Sequence, residues 1–242
     1  RIAKLNWEML ELTIQQEIRS QADQEKARHA QRFFKTAPGE YGAGDKFLGV
    51  RVPVLRALSK KYRNIPLPDA FTLLQSKFHE ERLLALFILV LIFKKAKDTD
   101  QKQIYDFYLE HTKYINNWDL VDSSAHLIVG PYLQHRDRAI LSDLAKSKLL
   151  WDRRIAMLST FHYIRQKDFG DALKIAEILQ HDQEDLMHKA VGWMLREIGN
   201  RDLATEEVFL KKYYQNMPRT MLRYAIEKFE EEKRLRYLKG EA

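Results

Sequence analysis

The sequence predicts an all-α fold of stacked helix pairs, and three observations carry that prediction. Apolar residues recur at three- and four-residue spacing along almost the whole chain, as they do when one face of each helix is buried. Leu5, Met9, Leu12, Ile14 and Ile18 form one such series, Leu55, Leu58 and Tyr62 a second, and Ile104, Phe107 and Tyr108 a third. Only 9 Gly and 6 Pro punctuate 242 residues, too few for a turn-rich sheet protein and enough to separate about a dozen helices. A weak internal repeat is the third observation: a charged residue followed by small and apolar ones returns at spacings of roughly 30 to 40 residues, the range of helix-pair repeats.

The breaks fall at Ala37 to Gly44, within a Gly-containing loop over residues 37–46, then at Asn64 to Pro68, Asp98 to Asp100 and Gly130 to Asp137. Further breaks follow at Lys167 to Gly170, His181 to Glu184, Gly199 to Asp202 and Asn216 to Pro218. All are short and rich in turn residues, so successive helices are expected to run antiparallel. A chain of this length can enclose one continuous core, and residues 1–242 are read as a single domain.

The repeat aligns Glu81-Arg82-Leu83-Leu84-Ala85 with Val121-Asp122-Ser123-Ser124-Ala125, Arg153-Arg154-Ile155-Ala156-Met157, His188-Lys189-Ala190-Val191-Gly192 and Leu222-Arg223-Tyr224-Ala225-Ile226. One helix pair cannot cover its own apolar side, so neighbours stack and the array curves around a concave lining. Arg82, Asp122, Arg154, Lys189 and Arg223 then form a column of four cations and one carboxylate. Ordinary solvated charges at helix starts would give the same column.

Composition narrows the function classes. No cysteine is present, which removes disulfides, thiolate catalysis and Cys-ligated metal sites. The most apolar run, Leu83 to Phe93, is far shorter than the roughly 20 residues that cross a bilayer and reads as a buried helix. No His-Glu-x-x-His or comparable ligand set occurs, so neither a metal nor another cofactor is expected. Gly42-Ala43-Gly44 follows no strand pattern and leads to no phosphate-binding Lys-Ser pair. A formal net charge of +7 favours a polyanionic partner without naming it. No charged, then apolar, then small-residue pattern stands at the start of the sequence, so secretion is not expected and a cytoplasmic setting is.

Asn116-Asn117-Trp118-Asp119-Leu120-Val121-Asp122 is the most informative stretch. Asn116 or Asn117 suits an N-cap and Asp119 the first helical turn. Asp122 lies one turn beyond Trp118, at i+4, which puts a carboxylate beside an indole on one helix face. By itself this spacing describes a core aromatic next to a surface charge. It gains weight beside Trp151-Asp152-Arg153-Arg154, Lys189 to Glu197 with Trp193 in its middle, and Phe47-Leu48-Gly49-Val50-Arg51-Val52-Pro53.

Taken together, these segments resemble the DNA alkylation repair family of HEAT-like glycosylases, the AlkD type, from about residue 30 to residue 230. The resemblance implies a HEAT-like helical-repeat solenoid of about six antiparallel helix pairs with a concave DNA-binding groove. It also implies excision of N3- and N7-alkylated purines from duplex DNA by a monomeric, monofunctional glycosylase in a bacterial cell, associated with the nucleoid. Trp118 and Asp122 match the family's Trp-x-x-x-Asp pair, Arg154 its catalytic-face arginine and Trp193 its second tryptophan. Two positions depart from the pattern: Phe33 stands for a tyrosine and Arg51 for a glutamine. Tyr41, in the Gly39 to Gly44 loop, either reaches DNA or covers the core.

These residue types suit that chemistry. An N3- or N7-alkylated purine is already cationic and leaves without protonation. Positive charge then develops on the deoxyribose, where a fixed carboxylate such as Asp122 stabilises it or orients water. Trp118 and Trp193 offer π faces to a cationic nucleotide, worth about 0.5 to 2 kcal/mol each. Arg51, Arg82, Arg154, Lys189 and Arg223 would hold phosphates and fix register without reading sequence. Relatives are expected to work from the sugar–phosphate side, so a nucleotide-sized apolar pocket beside Asp122 would argue against that geometry. The alternative is a non-catalytic helical-repeat protein that binds damaged, bent or branched DNA.

Overall fold

The computed structural model describes residues 13–242, all helix, turn and loop apart from one isolated parallel bridge between Lys46 and Phe78. The expected helical positions Leu5, Met9 and Leu12 lie outside the described residues. The chain divides into two compact units that meet in sequence at Ser124 and Ala125.

The described part of the first unit comprises helical residues 13–20 (α1), then α2 (Gln24–Phe33), the 37–46 loop, α3 (Val52–Lys61), α4 (Leu67–Leu74), α5 (His79–Phe93), α6 (Asp98–Glu110) and the five-residue α7 (Trp118–Asp122). Its centre is α5. Leu83 to Leu89 are buried without interruption, as expected of a helix that is apolar on every side, while α3 and α4 pack against it. Each such Leu or Ile contributes about 1.5 to 3 kcal/mol by leaving water.

Polar residues at the start of α5 are buried too, and each has a task. The carboxylate of Glu80 accepts the backbone N–H groups of Leu48 (2.8 Å), Gly49 (2.7 Å) and Val50 (3.3 Å). Residues 47–50 form a loop and belong to no strand, so a buried carboxylate accepts the N–H groups that a sheet partner would otherwise satisfy. Gly49 is fixed by its surroundings: its φ is +81°, and a Cβ there would stand 2.1 Å from the carbonyl oxygen of Asp23. The Phe-Leu-Gly-Val signature is thus a packing motif that seats α2 against the core.

The second unit runs through α8 (Ala125–Tyr132), α9 (Ala139–Leu144), α10 (Leu150–Ser159), α11 (Phe161–Ile164), α12 (Gly170–Leu179), α13 (Asp185–Gly199), α14 (Leu203–Tyr213), α15 (Arg219–Ala225) and α16 (Glu231–Lys239). The pairing of α13 with α15 is very close, and Gly192 permits it. A Cβ at that position would lie 2.4 Å from the carbonyl oxygen of Met221 and 2.5 Å from Cβ of Tyr224.

Two expected breaks move. Asp98 starts α6 rather than interrupting the helix, because acidic residues at 98 and 100 suit a first turn. Gly130 and Pro131 lie inside α8, with Gly130 held against the next layer by the Tyr163 hydroxyl, which donates to its carbonyl oxygen at 2.9 Å. No described helix is long and apolar enough to cross a membrane.

Candidate nucleic-acid interface

The short helix α7 carries the residues of greatest interest. Asn117 caps it, its side-chain oxygen accepting the Trp118 N–H at 2.9 Å, so the helix starts where the sequence indicated. Trp118 and Asp122 then fall one turn apart and both are half-buried. The indole belongs to an aromatic group: Phe34 stacks on it at a centroid distance of 5.3 Å, and Phe33 meets it edge-on at 6.0 Å. Phe33 itself is 57% exposed, a large apolar ring left in water beside a tryptophan. The Asp122 charge is felt at the buried phenol of Tyr108, whose pKa burial raises first, with Asp122 adding to the rise and a hydrogen bond to Ser124 opposing it.

Beneath α7 lies an ionic network that local sequence pattern does not single out. His79 sits between two carboxylates, Nδ1 at 2.9 Å from Asp45 Oδ2 and Nε2 at 2.7 Å from Asp119 Oδ2. Burial pulls its pKa down, but the Asp119 charge and the hydrogen bonds to both carboxylates outweigh it and push it up to about 9. The imidazolium therefore donates to both neighbours at neutral pH. Burial raises the Asp45 carboxyl; the His79 hydrogen bond and the charges of Arg82 and His79 overcome that and hold it below the usual range. Phe47 stacks on the His79 ring at 4.5 Å, and Asp119 joins this network to the first turn of α7. The available signal was the run His79-Glu80-Glu81-Arg82 immediately before the apolar stretch Leu83 to Phe93.

Arg82 requires a correction. Expected to hold phosphate, it is only 3% exposed and its guanidinium is engaged inside the protein. Nε donates to the Tyr114 carbonyl at 2.9 Å and Nη1 to the Ser76 carbonyl at 3.0 Å. Nη2 donates to Asp45 Oδ1 at 2.7 Å and Asn116 Oδ1 at 2.9 Å. A guanidinium tied to three chain segments is a structural post and cannot turn to meet DNA.

Arg51 is exposed at the N-cap of α3. It shares the wall of a cavity of about 330 Å³ with Lys26, His29, Phe34, Phe47 and Asp119. This largely apolar cavity reaches Asp119 and not Asp122, so it is not the pocket beside Asp122 that would argue for base extrusion. Tyr41 is half-buried in a loop whose turns use Gly39 and Gly44 at φ near +80°.

In the second unit, Arg154 is 5% exposed and donates from Nη1 to the Leu186 carbonyl at 2.6 Å, tying α10 to α13. It is thus more deeply set than a surface phosphate ligand. Trp193 is half-buried, its ring 6.0 Å from Phe161 and its Nε1–H directed to Glu197 at 3.3 Å. Lys189 pairs with Asp185 at 2.7 Å, one turn earlier on α13. Arg223 is exposed on α15. Among the described residues no cluster of His, Asp or Glu could hold a metal ion.

A sequence profile of a known family, described as DNA alkylation repair enzyme, matches residues 14–229. The chain belongs to the DNA alkylation repair enzyme family. Solved structures share the fold. A predicted DNA alkylation repair enzyme from Enterococcus faecalis is 17% identical with a TM-score of 0.68, over 87% of this chain and 98% of that one. AlkD2 from Streptococcus mutans is 17% identical with a TM-score of 0.57, over 93% and 99%. A comparison with curated proteins returned no match. Membership gives the chain a role in DNA alkylation repair, and the fold is that of the family's helical-repeat proteins.

Proposed function

We propose that the protein is a DNA glycosylase that excises N3- and N7-alkylated purines from duplex DNA. The observation that carries this reading is α7, which holds Trp118 and Asp122 one turn apart at an aromatic group whose outermost ring, Phe33, stands in solvent. Family membership supplies the alkylated-DNA context.

In this reading the C1′–N bond of the cationic purine breaks and its electron pair neutralises the departing base. Asp122 stabilises the positive charge left on the sugar and orients a water whose oxygen bonds to C1′. The water's proton leaves to the carboxylate or to solvent, and the products are a free alkylpurine and an abasic site. Fixed charge aimed at developing charge contributes about 10²- to 10³-fold in rate. Trp118 and Phe33 supply apolar surface against the nucleotide, and Arg51, Lys189 and Arg223 hold backbone phosphates. In the second unit, Arg154 and Trp193 are the positions that match the family pattern.

The test is single-turnover release of 7-methylguanine or 3-methyladenine from methylated duplex. Asp122→Asn should lower release by about 10² or more while duplex binding persists. Absence of release by the unaltered protein ends the enzyme reading. A binding-only role is favoured by one observation, that Phe34 already covers a face of Trp118. Tight binding to bent or branched DNA without release selects it.

A further inference from the structure

The engagement of Arg82 inside the protein has a counterpart at the surface. Its guanidinium gathers three chain segments: the 37–46 loop through Asp45, the turn before α5 through the Ser76 carbonyl, and the turn before α7 through Tyr114 and Asn116. A backbone hydrogen bond from His79 N to Lys46 O at 2.8 Å closes the first two against each other. Over this post lies a pocket of about 320 Å³, and each of the three segments brings one exposed lysine to its wall: Lys46, Lys77 and Lys113. None of the three is in an ion pair among the described residues; Lys77 and Lys113 lie over the rings of Phe78 and Tyr114 at 5.3 and 5.0 Å. The carboxylate in the pocket wall, Asp45, is 7% exposed and bonded to Arg82 and His79, so it does not neutralise the lysines.

We infer that this pocket, formed by Lys46, Lys77 and Lys113 above the buried Arg82, binds a phosphate group. Three ammonium groups around a small concavity form a field that attracts a compact anion. The segments are pinned from beneath, so the backbone needs little ordering and the entropic cost of binding falls on the lysine side chains. The group is either a backbone phosphate of duplex DNA, in which case the inference rests on the DNA reading above, or a free phosphate. Arg82 and the lysines then divide two roles: the arginine positions and the lysines touch the anion.

The experiment uses the full chain and three variants. Lys46→Gln/Lys77→Gln/Lys113→Gln removes the charges, the corresponding triple Arg variant keeps them, and Lys60→Gln/Lys94→Gln/Lys97→Gln removes three exposed charges elsewhere. Inorganic phosphate is titrated against sodium chloride at equal ionic strength, following the backbone amides of Gly44, Lys46, Lys77 and Asn116 by NMR. Duplex affinity is measured across salt concentration. The expected result is saturable movement of these amides in the unaltered protein and the Arg variant, absent in the pocket Gln variant. For a backbone phosphate, the log K against log salt slope of the pocket Gln variant also falls by about 0.9 for each phosphate it no longer neutralises, and the distant variant moves it less. Amide movement with an unchanged slope assigns the site to free phosphate. If the unaltered protein binds no duplex, the DNA reading fails while the phosphate titration still decides the site. No amide movement with an unchanged slope, or equal reductions of slope in the two Gln variants without amide movement, overturns the inference.

Discussion

The proton on His79 should be a measurable part of the protein's stability. The imidazole is 1% exposed between Asp45 and Asp119, and its pKa rises from 6.5 to about 9. Because the folded value exceeds the unfolded one, the stabilisation is fully present below about pH 6.5 and disappears as pH rises through 9. A rise of that size corresponds to about 3 kcal/mol, a sizeable part of a total that is typically about 5 to 15. The assay is urea unfolding of the unaltered protein and His79→Gln between pH 6 and pH 10. Glutamine can donate to one carboxylate but cannot carry the charge. The stability gap between the two proteins should be widest at pH 6 and shrink by about 3 kcal/mol by pH 10. Other groups that titrate in this range are present in both proteins, so their contributions cancel in the gap. A gap that stays constant across the range, or an imidazole NMR resonance titrating near 6.5, refutes the reasoning.

Three further outcomes follow from buried polar groups and close packing. Glu80→Ala strands three buried N–H groups at Leu48, Gly49 and Val50 and should cost about 3 kcal/mol or more in denaturant unfolding. Glu206 is 1% exposed, and burial, with a smaller contribution from Glu207, pushes its carboxyl up to about 8. The unaltered protein therefore loses stability as pH rises from 4.5 through 8, and Glu206→Gln should be the more stable protein at pH 9, by up to about 5 kcal/mol, and not at pH 4. Gly192→Ala places a methyl 2.4 Å from a backbone oxygen of α15 and should lower stability by about 1 to 3 kcal/mol in thermal unfolding.

What the sequence determined by itself is what local pattern encodes. The all-α class follows from apolar spacing, the burial of α5 from the unbroken run Leu83 to Phe93, and the start of α7, to within a residue, from Asn116 and Asn117 before Trp118. The Trp-x-x-x-Asp relation is likewise a property of helical pitch, so it needs no tertiary information. Only the tertiary structure decided how the charged residues divide. Arg82 and Arg223 occupy equivalent places in the repeat, yet one is enclosed by three chain segments and the other meets solvent.

The network under α7 was not legible for the same reason. His79 meets Asp45 and Asp119 across 34 and 40 residues, and Arg82 meets Asp45 across 37. Hydropathy and helical spacing report which face of a helix is turned inward, not which distant loop arrives there. A charged residue at a helix start is a surface group until another segment covers it, and then it must be paired, because an isolated buried charge is too costly to keep. Packing therefore turned Arg82 from a candidate phosphate ligand into an internal support, beside the buried His79 and Glu80.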